Sequence, residues 1–110
     1  SVLYLIWRKP YMAVASGTFI DHILQRCGFQ NALGSESRYP ELSAEAITQL
    51  KPDLILLSSE PYPFREKHLQ ELQKLVPTAR VRLVNGEYFS WYGSRLQEAA
   101  LYLGKLLKSI

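Results

Sequence analysis

The chain has 110 residues, of which 47% are hydrophobic, and 13 basic against 10 acidic residues give a formal charge of +3. This length and apolar content suit one compact domain with one core and exclude a disordered chain. The basic excess is small and its charges are interspersed, so no Lys/Arg block marks a nucleic-acid surface, and no apolar run reaches the length of a membrane span.

The first element, "VLYLIW" at residues 2–7, is continuously apolar and rich in β formers, as a strand buried on both faces must be. "RKPYMAVASG", residues 8–17, reads as a loop with Pro10 and Gly17 as breakers. From Thr18 to Cys27 the apolar residues Phe19, Ile20, Ile23, Leu24 and Cys27 recur at helical spacing. Thr18 or Ser16 caps the start of that helix, and Gly28 ends it in the left-handed conformation. "FQNALGSESRYPEL", residues 29–42, has no period and reads as a long loop.

Ser43 is the N-cap of a short helix, "AEAITQL", which turns Ile47 and Leu50 inward and stops at Pro52. "DLILL", residues 53–57, is the second buried strand. The crowded stretch "SSEPYPF" then leads into a helix from about Arg65 to Val76, with Leu69, Leu72, Leu75 and Val76 as its apolar stripe. "RVRLV", residues 80–84, is the third strand, and "NGE" turns the chain. A last helix from about Tyr92 to Lys108 repeats Leu96, Ala99, Ala100, Leu103 and Leu107 at helical spacing, with Lys105 and Lys108 where the helix dipole favours cations.

Strands alternating with helices predict a mainly parallel sheet covered on both faces, a three-layer α/β/α, Rossmann-like unit spanning residues 1–110 as a single domain. Ligands of such sheets bind at the carboxyl ends of the strands. That selects three loops: Arg8–Gly17, Ser58–Arg65 and Asn85–Gly93. Eight aromatic residues fall in or beside them, namely Trp7, Tyr11, Tyr62, Phe64, Tyr88, Phe89, Trp91 and Tyr92, and the long loop adds Tyr39. Rings with a few polar handles suit a large, flat, partly apolar ligand or a protein surface, although two or three of them could equally pack beneath the loops.

Chemistry-bearing motifs are thin. Gly17, Gly28 and Gly34 have neither dinucleotide nor Walker spacing, and there is no G-x-S-x-G elbow. His22 and His68 read as solvated or partly packed helix residues. Glu36, Glu41 and Glu45 are three acids with nothing to force convergence on a cation. The lone Cys27 has no zinc-site spacing around it and reads as a small buried side chain near a helix end. No catalytic residue, metal ligand or resident cofactor is assigned. The chain opens without an initiator Met or a signal-peptide pattern and is expected to be a piece of a longer protein.

Three segments carry a family resemblance. "SGTFIDHILQRCGFQNAL", "SRYPELSAEAITQLKPDLILLSSEP" and "NGEYFSWYGSRLQEAALYLGKLL" together resemble, in order and spacing, the C-terminal lobe of the helical-backbone (class III) substrate-binding proteins of ABC importers. Those proteins handle cobalamin, ferric siderophores, haem or metal ions. The resemblance covers essentially the whole chain, although Cys27 stands where a glycine is common. It implies a two-lobed protein whose N-terminal lobe is absent here, no enzymatic turnover, and a periplasmic or lipoprotein location. It also implies a permease partner, met by a surface glutamate early in the helix after the "PDLILL" strand; this maps to Glu66, with Glu60 as competitor.

For the ligand, the resemblance implies contacts from Trp7, Arg8, Tyr11, Tyr39, Glu87, Trp91 and Tyr92. Aromatic walls favour cobalamin or a related corrinoid first. Arg8 and Arg38 would serve a ferric siderophore, placed second, and Met12 or a tyrosine would serve haem, placed third. The competing readings are a small α/β enzyme, which lacks a recognisable acid, base or phosphate loop, and a protein-interaction domain using the aromatic loops.

Overall fold

Apolar runs without polar alternation need cover on both sides, and the sheet supplies it. The computed structural model describes residues 1–60 and 62–85. They form β1 (Val2–Trp7), β2 (Tyr11–Ala13), α1 (Phe19–Arg26), β3 (Glu41–Leu42), α2 (Ala44–Leu50), β4 (Leu54–Ser58), α3 (Glu66–Leu75) and β5 (Arg80–Val84). The sheet order is β3-β2-β1-β4-β5. β1, β4 and β5 are parallel, in register Val2↔Leu54 through Leu5↔Leu57 and Leu54↔Arg80 through Ser58↔Val84.

Alternate residues of these strands face opposite layers. Val2, Tyr4, Leu54 and Leu56 pack with Ile23 and Leu24 of α1. Leu3, Leu5, Ile55, Leu57 and Val81 pack with Ile47 of α2 and Leu72 and Val76 at α3. This is the expected three-layer α/β/α arrangement, with a parallel centre.

The edge departs from the expectation. The segment 8–17, read as a loop, contains β2, which runs antiparallel to β1 with Leu5↔Ala13 and Trp7↔Met12 and a bulge between them. β3, inside the long loop, pairs antiparallel with β2 through Tyr11↔Leu42 and Met12↔Glu41. The pairing continues along the backbone, where the Ala13 and Ala15 N–H groups donate to the Pro40 and Arg38 carbonyls at 3.1 and 2.7 Å. A strand of three residues flanked by Pro10 and Gly17 has too few positions to show a period of two, so its sequence looks like a loop.

The caps follow the sequence. Thr18 accepts the Asp21 N–H at 3.1 Å and Ser43 accepts the Ala46 N–H at 3.1 Å. Gly28 takes a φ of +87°, the left-handed geometry that a residue without Cβ adopts freely. The expected helix at Tyr92–Lys108 lies outside the described residues.

One buried polar group ties α1 to the sheet. The Asn31 amide nitrogen donates to the Val14 carbonyl at 3.1 Å and to Asp21 Oδ1 at 2.8 Å, and its oxygen accepts the Leu33 N–H at 2.9 Å. Gln25 Nε2 donates to the other Asp21 oxygen at 2.8 Å. Asn31→Ala removes the partner of the Leu33 N–H and a donor to a buried carboxylate. It should therefore cost about 2–3 kcal/mol, read as a lowered urea-denaturation midpoint.

Candidate functional site

Because β1, β4 and β5 are parallel, their carboxyl ends share one edge of the sheet. β3 is antiparallel to β2, so its carboxyl end and the start of α2 arrive at the same edge. That edge gathers Trp7, the turn Arg8–Pro10, Tyr11, Leu42, Ser43 and the residues that leave β4. β2 then carries the chain away, so that Val14 lies beside Tyr4, with its N–H donating to the Tyr4 carbonyl at 3.0 Å. Only the first part of the 8–17 segment therefore borders the edge.

Two clusters form there. The first is aromatic. Trp7 meets Tyr62 edge-on at 5.6 Å between centroids, and Tyr62 meets Phe64 at 4.8 Å and His68 at 5.3 Å, also edge-on. These are favoured quadrupole geometries. Phe64 is buried, whereas Trp7 stays 40% exposed as the outer rung. His68 is only 5% exposed. Its Nδ1 accepts the Arg65 N–H at 2.9 Å, closing the first turn of α3, which assigns the proton to Nε2, 3.2 Å from the Tyr62 hydroxyl. Burial pushes its pKa below the ordinary 6.5, and the charges of Arg8, Lys67 and Arg65 act in the same direction against the opposing Glu71.

The second cluster is charged. Arg8 donates from Nε to Glu71 Oε2 at 2.9 Å and from Nη2 to Oε1 at 2.6 Å, a bidentate fork between the end of β1 and the middle of α3. The Tyr11 hydroxyl donates to Glu71 Oε2 as well. The Arg8 hydrogen bonds hold the Glu71 carboxyl at about 2, against an ordinary 4.5, with Tyr11 helping. Burial, and then its bond to Glu71, pushes Tyr11 up to about 12. The pair raises Arg8 in turn. Beside this trio lies an open groove of about 350 Å3, lined by Arg8, Lys9, Pro10, Tyr11, Leu42, Ser43 and Ala44.

Of the residues expected at a ligand site, Trp7, Arg8 and Tyr11 come together, joined by Tyr62 and Phe64. Arg8 is not the free cation that the siderophore reading wanted: its fork is occupied by Glu71. Tyr39 is 49% exposed but stands three residues along the edge from Leu42, about 10 Å away. Arg38 lies beyond it, paired through its backbone with Ala15 and Ser16. Met12 sits in β2 between Trp7 and Glu41. Glu87, Trp91 and Tyr92 lie outside the described residues. Glu66 is an exposed first-turn acid of α3, and Glu45 is an exposed first-turn acid of α2. Glu60 is half-buried, and its backbone N–H and carbonyl are both bonded by the Ser58 hydroxyl.

Sequence reasoning missed Glu71 and His68. His68 carried a signal, since it lies four residues before Leu72 and seven before Leu75, on the apolar stripe of α3. Glu71 carried none, because its partners come from a strand end and a hairpin some 60 residues earlier in the chain. Among the described residues, no group of three or more His, Cys, Asp or Glu could hold a metal ion.

No family model and no curated protein matches the chain. Solved structures do. The periplasmic haem-binding protein BhuT, solved with two haems, is 23% identical, with a TM-score of 0.74 over 94% of this chain and 42% of its own. The periplasmic haem-binding protein HutB of Vibrio cholerae is 22% identical, with a TM-score of 0.73 over 96% of this chain and 46% of its own. The periplasmic vitamin B12-binding protein BtuF of Vibrio cholerae is 22% identical, with a TM-score of 0.66 over 93% of this chain and 43% of its own. The chain has the α/β fold of these periplasmic binding proteins and spans less than half the length of each.

The ion pair gives a pH prediction. Glu71 has a folded pKa below its unfolded one, so its stabilisation is complete above pH 4.5 and is lost as the pH falls through about 2. The depressed pKa of His68 adds stability that is complete above pH 6.5 and declines below it. Glu71→Gln should flatten the acid limb between pH 4.5 and 2, measured by denaturation at stepped pH. The loss at neutral pH should be about 1 kcal/mol, kept small because the carboxylate is one-third exposed.

Proposed function

We propose that this chain is one lobe of a two-lobed substrate-binding protein of an ABC importer. In this reading the carboxyl edge of the sheet forms one wall of the ligand cleft, and the N-terminal lobe of the same protein forms the other. The observation that carries it is the exposed Trp7, propped edge-on by Tyr62 beside the Arg8–Tyr11 groove, on the edge where parallel α/β sheets bind ligands. The fold shared with periplasmic haem-binding and vitamin B12-binding proteins supports it. The protein binds and delivers without turnover, in the periplasm or anchored there as a lipoprotein.

The ligand is a cobalamin or related corrinoid first, a ferric siderophore second and haem third. Aromatic walls with few polar contacts suit the first, and the engagement of Arg8 by Glu71 weakens the case for the second. Trp7, Arg8 and Tyr11 border the ligand in this reading; Tyr39, Glu87, Trp91 and Tyr92 are assigned to it from the sequence. Spectral titration of the full-length protein with cobalamin, ferric siderophores and haem tests the proposal, which fails if none of them binds.

Trp7→Ala should weaken that binding by about 1–3 kcal/mol with the fold retained, since a solvent-facing ring supports ligand rather than core. Isothermal titration alongside a circular-dichroism melt separates the two effects.

The permease contact is assigned to Glu66, an exposed carboxylate in the first turn of a helix, where the dipole stabilises it and an arginine can reach it. Glu66→Ala should leave ligand affinity unchanged and impair uptake. Glu60→Ala and Glu45→Ala, assayed in parallel, locate the docking acid, and ligand loss without an uptake-specific defect would remove Glu66 from that role.

A further inference from the structure

The Arg8–Glu71–Tyr11 cluster has a consequence for which ligands this edge accepts. A bidentate fork uses Nε and Nη2 of Arg8 on both oxygens of Glu71, so a ligand carboxylate or catecholate arriving here either displaces an intramolecular carboxylate that is already in place or meets a guanidinium whose charge is already balanced. Such a displacement gains little, because it exchanges one charge-assisted pair for another and leaves Glu71 half-buried without its cation. The Tyr11 proton is committed to the same carboxylate, so its phenol oxygen can serve a ligand only as an acceptor. Lys9, the other cation lining the groove, is exposed, and water and salt screen its charge.

Resting on the binding-protein reading above, we propose that Glu71 is the specificity-determining residue of this edge, neutralising Arg8 so that the groove selects a neutral, N–H-bearing ligand surface, such as a carboxamide, over an anionic one. Glu71 acts through Arg8 and Tyr11 and is a positioning residue. The groove therefore presents an acceptor from Tyr11, apolar contact from Pro10 and Leu42, and no desolvated cation. A ligand carrying peripheral amides satisfies that set, whereas one carrying several negative charges leaves them unpaired.

The test is a charge-resolved comparison in the full-length protein. Wild type and Glu71→Gln are titrated with cobalamin, whose periphery carries amides, and with a ferric tricatecholate, which is a trianion. Glu71→Gln frees the Arg8 fork, and the tricatecholate Kd should fall about tenfold while the cobalamin Kd moves less than about twofold. Adding Arg8→Gln to Glu71→Gln should abolish the gain. Glu71→Met, equally uncharged, replaces Glu71→Gln if the latter fails to give a native circular-dichroism spectrum. An unchanged ratio of the two affinities, an equal weakening of both, or a gain that survives Arg8→Gln overturns the assignment of Glu71 while leaving the binding-protein reading intact. A wild-type protein that binds neither ligand overturns this inference, and the binding-protein reading falls with it only if haem does not bind either.

Discussion

Val2 to Leu5 and Leu54 to Leu57 present no face to water, and each is fully or almost fully buried. A strand covered on both sides needs a neighbour for every backbone group and a helix layer above and below, because an unpaired buried N–H or C=O costs as much as a lost hydrogen bond. The parallel ladders β1–β4 and β4–β5 supply the first, and α1 on one face with α2 and α3 on the other supply the second. Each large apolar side chain so buried contributes about 1.5–3 kcal/mol of transfer free energy, which makes these two runs the centre of the core among the described residues. Parallel pairing also fixes the direction of the strands. It brings the ends of β1 and β4 to one edge, and everything proposed about binding depends on that.

The edge is held by polar contacts of long sequence separation. Arg8 and Glu71 join the end of β1 to the middle of α3, while His68 and Tyr62 join the first turn of α3 to the loop that leaves β4. Trp7 leans on Tyr62, which packs on the buried His68, so the exposed ring is supported from α3 as well as by its own strand. Rigid support of this kind lets an aromatic side chain act as a platform without a large ordering cost on binding. The ion pair is part-buried and bidentate, which sets it above an ordinary surface pair.

The groove beside this edge is open, and the chain covers less than half the length of each similar structure. In the proposed reading, this open wall with its supported ring and paired cation would give one half of a cleft its shape and hydrogen-bond character, and a second half would give enclosure. Arg8, Tyr11 and Glu71, which set the charge of this edge among the described residues, all belong to this chain.

Much of this architecture is written locally. The unbroken apolar runs at 2–7 and 53–57, the caps at Thr18 and Ser43, the stop at Pro52 and the turn at Gly28 each act within a few residues, and β1, β4, α1 and α2 follow from them, as β5 and α3 follow from the alternation at 80–84 and the apolar stripe at 69–76. The placement of Trp7 and Tyr11 at this edge was legible because the strand-end rule needs only the order of elements. Tertiary structure decided the rest. β2 and β3 are too short to show a period, and only pairing with β1 makes them strands. Arg8 looked like a free cation because nothing near it in sequence is its partner. Glu71 lies off the apolar stripe of α3, and the helical period says which face a residue occupies but not which distant strand end will reach it. Short-range propensity and periodicity thus set the elements, whereas the charge and donor pattern of the site came from contacts between residues some 60 positions apart, which no local pattern records.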